Sequence, residues 1–302
     1  MHKFILLLSI WGYLSILLAN DDLKITSNTF LDNSAPSIFK AIHNKQYIEL
    51  SKLLKNGEDP CQELIYQYKY VANKATAFDY AIRTADIKII KEFLPYIKNI
   101  TKPTCLHKPS LFYAIMIDDI PMIKFLIDHG ADINYISKFN TKNSAIEEAL
   151  MLGKIRSAQF LIDQGVKISK ESQFKALKHA VITLDIDTVR FLITQKIDLN
   201  YQDSNGNTIL HIIAMGAIDN NLHALQQFSK SKYVKKIPGY SHSIEDNISQ
   251  LKSKWDNYPT IIKLLVHNGV KMKIKNNNGK TAYNLAKDNN ISTILHILKN
   301  TD

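Results

Sequence analysis

The sequence predicts an all-α solenoid of about seven helix–turn–helix repeats, with a helical insertion in the sixth. Three observations predict it. A short segment with a turn followed by a helix recurs along the chain, and its best copy is Asn205–Ala214, NGNTILHIIA. A second, apolar segment that closes on glycine falls between these copies, as in Ile123–Asn134, IKFLIDHGADIN. The copies recur at a nearly constant period of about 33 residues, which is typical of repeat architectures.

The repeats are placed by the position that threonine occupies in the best copy. These positions are Pro36, Thr76, Pro109, Ser144, Lys175, Thr208 and Thr281. The steps between them are 40, 33, 35, 31, 33 and 73 residues. We interpret the first step as a repeat with an enlarged loop at Gln62–Lys74, and the last as a normal repeat with an insertion of about 40 residues.

Each repeat contains an inner helix followed by an outer helix, marked by apolar residues at helical spacing. Glycine ends most outer helices, because the chain must turn left-handed there. These glycines are Gly57, Gly130, Gly165 and Gly269. Pro95 ends the second repeat, and Lys196 stands in the glycine position of the fifth, which predicts a weaker turn.

The predicted insertion covers residues 217–257. Ser243–Asp246 resembles a capping box, and Ile244, Ile248, Leu251 and Trp255 share one helical face, so the pattern predicts a helical hairpin. We expect its apolar residues to pack on the solenoid, with contact to a partner as the alternative. Tyr258 and Pro259 then begin the outer helix of repeat six.

Residues 1–20 read as a secretory signal peptide. Lys3 precedes a 16-residue apolar run, Phe4–Ala19, and the polar residues that follow predict cleavage near Ala19 or Asn20. An uncleaved anchor and a buried N-terminal helix are the alternatives. Residues 21–35 are predicted to be a linker, and residues 36–299 the repeat domain. The protein is therefore expected to be exported, to the periplasm or outside the cell.

The charge and the cysteines limit the function classes further. The formal net charge is +10, but the lysines are scattered and no nucleic-acid-binding motif accompanies them. Cys61 and Cys105 fall in inter-repeat loops, where an oxidising compartment would allow a disulfide. Two free buried thiols are the alternative. Neither cysteine belongs to a C-x-x-C pair, so redox catalysis and zinc binding are not predicted.

No constellation of residues predicts catalysis, a cofactor or a metal ion. Acidic residues occur in close pairs, and most of these fall where a helix begins, which favours a role in the helix dipole over acid–base chemistry. The pairs are Asp118 with Asp119, Asp185 with Asp187, and Glu147 with Glu148. We therefore do not expect an enzyme.

Three features together resemble the ankyrin repeat: the period, the apolar pairs and the sequence GADIN (Gly130–Asn134) at the end of a repeat. The resemblance covers Pro36–Lys299. It implies that Thr208 and His211 hydrogen-bond to each other and to the backbone, and that the fifth and eighth positions of each repeat line a concave face. The candidate partner-binding residues on that face are Tyr80, Arg83, Tyr113, Met116, Met151, Ile182 and Met215. Partial burial between repeats is the alternative for this row.

The resemblance implies a scaffold that binds another protein through its concave face and loop tips. The Lys-, Ile- and Asn-rich composition and the signal peptide suggest a bacterium with an AT-rich genome. The partner is then periplasmic or a host protein, and an immunity-type inhibitor is one concrete version. We expect a monomer. The alternative is an enzyme regulator or an anionic-surface binder acting through the 217–257 insertion, which contains Lys230–Lys236.

Overall fold

The computed structural model describes residues 31, 34–68, 71–97, 100, 109–137, 142–216, 248–249, 252–254 and 256–299. These residues belong to two compact units, and the boundary lies between Val166 and Lys167. We call the described residues up to Val166 the N-terminal unit and those from Lys167 onward the C-terminal unit.

The N-terminal unit is built from short helices that follow one another in pairs. They are α1 (Ser37–His43), α2 (Tyr47–Lys55), α3 (Ala77–Arg83), α4 (Ile87–Phe93), α5 (Ser110–Met116), α6 (Ile120–Asp128), α7 (Ala145–Met151) and α8 (Ile155–Asp163). A 3-10 turn, Leu94–Tyr96, follows α4. The C-terminal unit continues the pattern with α9 (Lys170–Ile182), α10 (Ile186–Thr194), α11 (Ile209–Ala214), α12 (Asn257–His267), α13 (Ala282–Asp288) and α14 (Ser292–Lys299).

The helices form two layers within each unit. In the N-terminal unit each inner helix contacts the next one, in the order α1, α3, α5 and α7. Among the outer helices, α2 contacts α4, and α6 contacts α8. In the C-terminal unit α9, α11 and α13 form the inner layer, and α10, α12 and α14 form the outer layer. This arrangement confirms the predicted helical solenoid.

Small residues allow the inner helices to approach closely. A buried alanine recurs at the sixth position of most repeats, and its side chain leaves room for the backbone of the next helix. These alanines are Ala41, Ala81, Ala114, Ala149, Ala180 and Ala286, and none is more than 1% exposed. Repeat six has Ile213 at this position, which is also fully buried.

Most inner helices begin at the predicted residue. Thr76 accepts a hydrogen bond from the backbone N–H of Asp79, and Ser144 and Thr281 form capping boxes with Glu147 and Asn284. Such caps satisfy backbone N–H groups that have no partner in the first turn of a helix.

The predicted start of repeat five is wrong. Lys175 lies inside α9, which begins at Lys170 with Ser169 as its N-cap. The side chain of Ser169 accepts a hydrogen bond from the backbone N–H of Ser172. This cap lengthens the inner helix at its N-terminus, while Ala180 keeps its place in the inner layer.

The turn between the two helices of a repeat has one left-handed residue. The residues in this position have φ between +53° and +72°, and they recur with the period of the repeats. They are Lys45, Ala85, Asp118, Gly153, Leu184, Gly216 and Asn290. An acid often follows and caps the outer helix, as Asp86, Asp119 and Asp185 do.

Lys196 holds a left-handed conformation, with φ of +54°, where other repeats have glycine. Its N–H still donates to Ile193, so the turn forms despite the side chain. A left-handed residue other than glycine costs about 1–2 kcal/mol, and glycine recovers part of this.

We expect Lys196→Gly to raise the free energy of unfolding by about 0.5–1 kcal/mol in urea denaturation. Lys167→Gly is the control, because Lys167 has an ordinary φ, and it should lower that free energy. Equal changes in both variants would contradict the explanation.

The predicted loop Gln62–Lys74 is instead largely a β-hairpin. β1 (Glu63–Tyr68) and β2 (Val71–Thr76) pair in antiparallel register, from Glu63 opposite Thr76 to Tyr68 opposite Val71. Alternation in ELIYQY and the β-branched or aromatic residues favour strands. The hairpin supplies the extra residues of the 40-residue step.

The insertion does not interrupt the two helix layers of the C-terminal unit. The side-chain amide of Asn257 in α12 donates to the carbonyl of Leu184, 3.2 Å away, and that of Asn289 donates to Ala214, also at 3.2 Å. The inner helices α11 and α13 are in contact, as are the outer helices α12 and α14. The predicted helical hairpin falls mainly on residues 217–247, outside the described residues. The repeat count of about seven stays a prediction.

Candidate functional site

Most of the predicted partner-binding row is buried. In the N-terminal unit Tyr80 is fully buried, and Arg83, Tyr113 and Met116 are each 6% exposed. Met151 is partly exposed. In the C-terminal unit Ile182 is 6% exposed and Met215 is 36% exposed. The alternative of burial between repeats therefore holds for most of the row, and a role in partner binding stays a prediction.

Contacts between neighbouring inner helices explain this burial. The ring of Tyr80 meets Phe39 edge to face, with centroids 5.4 Å apart, and its hydroxyl is hydrogen-bonded to Nδ1 of His43 at 3.0 Å. The guanidinium of Arg83 lies 5.0 Å from the centre of the Tyr113 ring. Such pairs contribute to stability. These side chains connect α1 to α3 and α3 to α5.

The acidic pairs act in helix caps and repeat contacts. Asp119 accepts the N–H of Met122 at 2.9 Å, and Asp185 accepts that of Thr188 at 3.1 Å. Asp118 receives the N–H and the hydroxyl of Ser157, in the following repeat. The buried carboxylate of Glu148 accepts from the amide of Asn143 at 3.2 Å. These observed roles agree with the structural interpretation of the pairs.

Asp79 is a carboxylic acid buried in α3, with 1% of its surface exposed. Burial raises its pKa to about 6, although Thr76 and the positive charge of Arg83 oppose the rise. The folded state therefore binds a proton more tightly than the unfolded state, in which the pKa of Asp79 is close to the ordinary value of 3.8. This stabilisation is complete below about pH 4 and is lost as pH rises through 6.

We expect Asp79→Asn to stabilise the N-terminal unit at pH 7.5 by about 1.5 kcal/mol, since asparagine has no charge to desolvate. The Thr76 cap is kept, because it uses the backbone N–H of residue 79. Urea denaturation should show the difference shrinking towards zero at pH 4. A difference that does not change with pH would contradict the assignment.

His179 gives the opposite pH dependence in the C-terminal unit. Burial lowers its pKa to about 4, against the opposing charge of Asp185. The folded state prefers the neutral ring, so this stabilisation is present above pH 6.5 and is lost as pH falls towards 4. Between pH 4 and pH 6 Asp79 and His179 change the free energy of unfolding in opposite directions, and the two changes partly cancel. The free energy of unfolding of the wild type should therefore depend on pH less than that of Asp79→Asn, which keeps only the His179 effect.

His211 connects repeats six and seven within the C-terminal unit. Its Nδ1 accepts the backbone N–H of Thr208 at 3.1 Å and lies 2.8 Å from the Thr208 hydroxyl. The tautomer follows from this contact, because Nδ1 must be unprotonated to accept an N–H. Nε2 therefore carries the hydrogen and donates to the carbonyl of Lys280 at 3.0 Å. These are hydrogen bonds of the kind that the resemblance implies for Thr208 and His211.

Two loops of the N-terminal unit expose large apolar side chains. Ile65, in β1, is 69% exposed, and Ile136 is 59% exposed. Ile136 forms an isolated β-bridge with Ser144. Ile65 and Ile136 therefore both lie in loops that contain β-structure. Exposed isoleucine is suited to a protein interface, because covering it removes apolar surface from water. The helical repeat pattern singles out neither residue, although the alternation of apolar and polar residues around Ile65 indicates a strand with one exposed side.

Cys61 is disulfide-bonded, and it precedes β1 by two residues. The chain has one other cysteine, Cys105, which lies outside the described residues. The Cys61–Cys105 pairing therefore stays a prediction.

Within the described ranges no group of three or more His, Cys, Asp and Glu residues could hold a metal ion. No helix in the same part of the chain is both long and apolar enough to cross a membrane.

Comparisons with known proteins agree with this architecture. A family profile described as the ankyrin repeat matches residues 106–134, which include α5, α6 and the GADIN close. The chain is 23% identical over 312 residues to the putative ankyrin repeat protein L371 of Acanthamoeba polyphaga mimivirus. That match covers 93% of this chain but 35% of the viral protein, so the chain spans about a third of the relative's length.

A solved structure shows the same fold. The crystal structure of the human ASB11 ankyrin repeat domain superposes with a TM-score of 0.51 at 18% sequence identity, covering 83% of this chain and 92% of that domain. The helix pairs, the matched repeat and this likeness together identify the chain as a protein with the ankyrin-repeat fold.

Proposed function

We propose that the chain is a scaffold that binds a partner protein, and that the loop tips of the N-terminal unit contribute to the contact. The supporting observation is the exposure of Ile65 and Ile136 in loops with β-structure, while the neighbouring inner-helix row is largely buried. Ankyrin repeats generally mediate protein–protein interaction, which favours binding over catalysis. The observed roles of the acidic pairs also favour a non-catalytic chain.

In the C-terminal unit the proposal assigns partner contact to Met215, which is partly exposed at the end of α11. Methionine adapts to irregular surfaces, so it is common where proteins bind. The predicted immunity-type or host-directed role is a finer version of the same proposal, and it requires the partner to be identified.

The test places a photo-crosslinking amino acid at one position at a time in the full chain. We expect a discrete protein adduct in the producing cells, or in the cells they contact, from positions 65 and 136. Position 48 is the control, because Ile48 is 77% exposed on the outer helix α2. No adduct at 65 and 136, or equal adducts at all three positions, would contradict the proposed surface.

We also propose that the protein is exported. The predicted signal peptide supports this, and so does the disulfide at Cys61, because disulfides persist mainly in oxidising compartments. Intact mass measured on the chain from its own source tests both features. The expected mass lacks the first 19 or 20 residues and the two hydrogens lost in one disulfide. A full-length mass with two free thiols would contradict export.

A further inference from the structure

Four asparagines of the chain directly precede a glycine: Asn56, Asn205, Asn268 and Asn278. Such a pair can react without an enzyme, because glycine has no side chain to shield its backbone nitrogen. That nitrogen attacks Cγ of the asparagine side chain, its proton passes through solvent to the side-chain nitrogen, and ammonia leaves. The product is a cyclic succinimide. Water then opens the ring to aspartate or to isoaspartate, whose backbone contains one more carbon.

Two of these pairs occupy the same turn in consecutive repeats of the C-terminal unit. Asn205–Gly206 lies in the loop before α11, and Asn278–Gly279 lies in the loop before α13. The glycines have φ of +74° and +71°. Each glycine N–H donates to the carbonyl three residues earlier, on Asp203 or Asn276, at 2.8 Å in both turns. The two turns are therefore matched, and they differ in what the neighbouring repeat supplies.

The peptide between Asn205 and Gly206 is held at both of its polar atoms. Besides the bond made by the glycine N–H, the carbonyl of Asn205 accepts the N–H of Asn277, in the next repeat, at 3.0 Å. Gly206 is also buried, and a Cβ there would collide with Asn277. Because the peptide must rotate before its nitrogen can reach the asparagine side chain, the reaction at Asn205 has to break both hydrogen bonds.

The peptide between Asn278 and Gly279 is held at one polar atom. No backbone hydrogen bond among the described residues reaches the carbonyl of Asn278. Both residues are exposed, and a Cβ on Gly279 would meet nothing within 4 Å. The next N–H, of Lys280, donates to the side-chain Oδ1 of Asn276 at 3.1 Å, and a side-chain acceptor can follow the backbone as it moves. Rotation at Asn278 therefore breaks fewer contacts than rotation at Asn205.

The other two pairs lie at the ends of outer helices. At the end of α2 the N–H groups of Gly57 and Glu58 both donate back to helix carbonyls, at 3.1 and 3.0 Å. Gly269 and Val270 do the same at the end of α12, at 3.1 and 3.2 Å. This pair of backbone bonds closes the C-terminus of a helix. Rotation of either peptide would therefore open the last turn of its helix.

We propose that Asn278 is a site of spontaneous deamidation, and that in the folded chain it reacts faster than the other three asparagines that precede glycine. One hydrogen bond changes the population of a locally open form by about fivefold, and the burial of Gly206 protects Asn205 further. The product carries a negative charge in the loop before α13. The modification does not depend on the proposed protein-binding function, and it lies in a different loop from Ile65 and Ile136.

The test is incubation of the folded full chain at mildly alkaline pH, where loss of the backbone proton is easier. Digestion at acidic pH and mass spectrometry then give the rate of conversion at each of the four asparagines. We expect Asn278 to react about tenfold faster than Asn205, from one hydrogen bond and the burial of Gly206. Incubation in concentrated urea is the control, because the turns are lost there and the four rates should converge.

Gly279→Ala gives a second control. Its Cβ shields the attacking nitrogen, so the reaction at Asn278 should slow while that at Asn205 stays unchanged. Equal rates at Asn205 and Asn278 in the folded wild type would overturn the proposal, and so would a faster reaction at Asn56 or Asn268. A difference between Asn205 and Asn278 that persists in urea would also overturn it, because the residues next to each asparagine would then explain the rates.

Discussion

Replacing Gly206 with alanine is expected to lower the free energy of unfolding of the C-terminal unit by about 3 kcal/mol. Gly206 has a φ of +74°, which costs an alanine about 1–2 kcal/mol. An added Cβ would also lie 2.4 Å from Oδ1 and 2.7 Å from the backbone nitrogen of Asn277. That nitrogen donates to the carbonyl of Asn205, so the clash falls on a hydrogen bond between adjacent repeats.

Gly279 provides a matched control one repeat later. It follows an asparagine in the same kind of turn, its φ is +71°, and a Cβ there would meet nothing within 4 Å. Gly279→Ala should therefore cost only the conformational part, about 1–2 kcal/mol. Urea denaturation of the two variants gives the comparison. Equal losses would show that the loops of repeats six and seven are not packed as described.

The second large effect is expected at His211, which is 1% exposed. His211→Ala leaves the N–H of Thr208 and the carbonyl of Lys280 without their side-chain partner, and it also creates a cavity. The carbonyl of Lys280 keeps the N–H of Asn276 as a donor, so the buried N–H of Thr208 is the group left unsatisfied, at a cost of about 1–3 kcal/mol. Together with the cavity, we expect a loss of about 3–4 kcal/mol in urea denaturation.

His211→Asn separates the two roles of the ring. In repeat seven Asn284 occupies the equivalent position, and its Oδ1 accepts the N–H of Thr281 at 3.0 Å. Asparagine at 211 should keep that cap and lose only the contact with Lys280. We expect it to recover about half of the alanine loss. No recovery would mean that the connection to Lys280 carries the whole effect.

The sequence predicts helix starts well because caps are local. A side chain three residues or fewer away satisfies the first backbone N–H groups, so Thr76, Ser144, Thr208 and Thr281 are recognisable without knowledge of the fold. Repeat five shows the limit of this method. Its helix begins earlier, because Ser169 is the N-cap, and the apolar pattern around Lys175 does not indicate these extra residues.

Exposure of the inner-helix row is not a local property. Met116 and Met215 both occupy the eighth position of their repeats, yet Met116 is 6% exposed and Met215 is 36% exposed. The difference depends on which side chain the neighbouring repeat supplies, such as Phe39 and His43 against Tyr80. The hairpin was missed for another reason, because its strands lie within an irregular long step where no repeat pattern applies.

The direct test of the repeat architecture is removal of the insertion. Deleting residues 217–255 joins Gly216 to Asp256, which then precedes α12 as Asp185 precedes α10. The spacing between Thr208 and Thr281 falls from 73 to 34 residues, close to the other repeats. We expect the deletion variant to fold, with hydrogen–deuterium exchange protection in α12, α13 and α14 equal to that of the full chain. Loss of protection throughout residues 257–299 would contradict the repeat architecture.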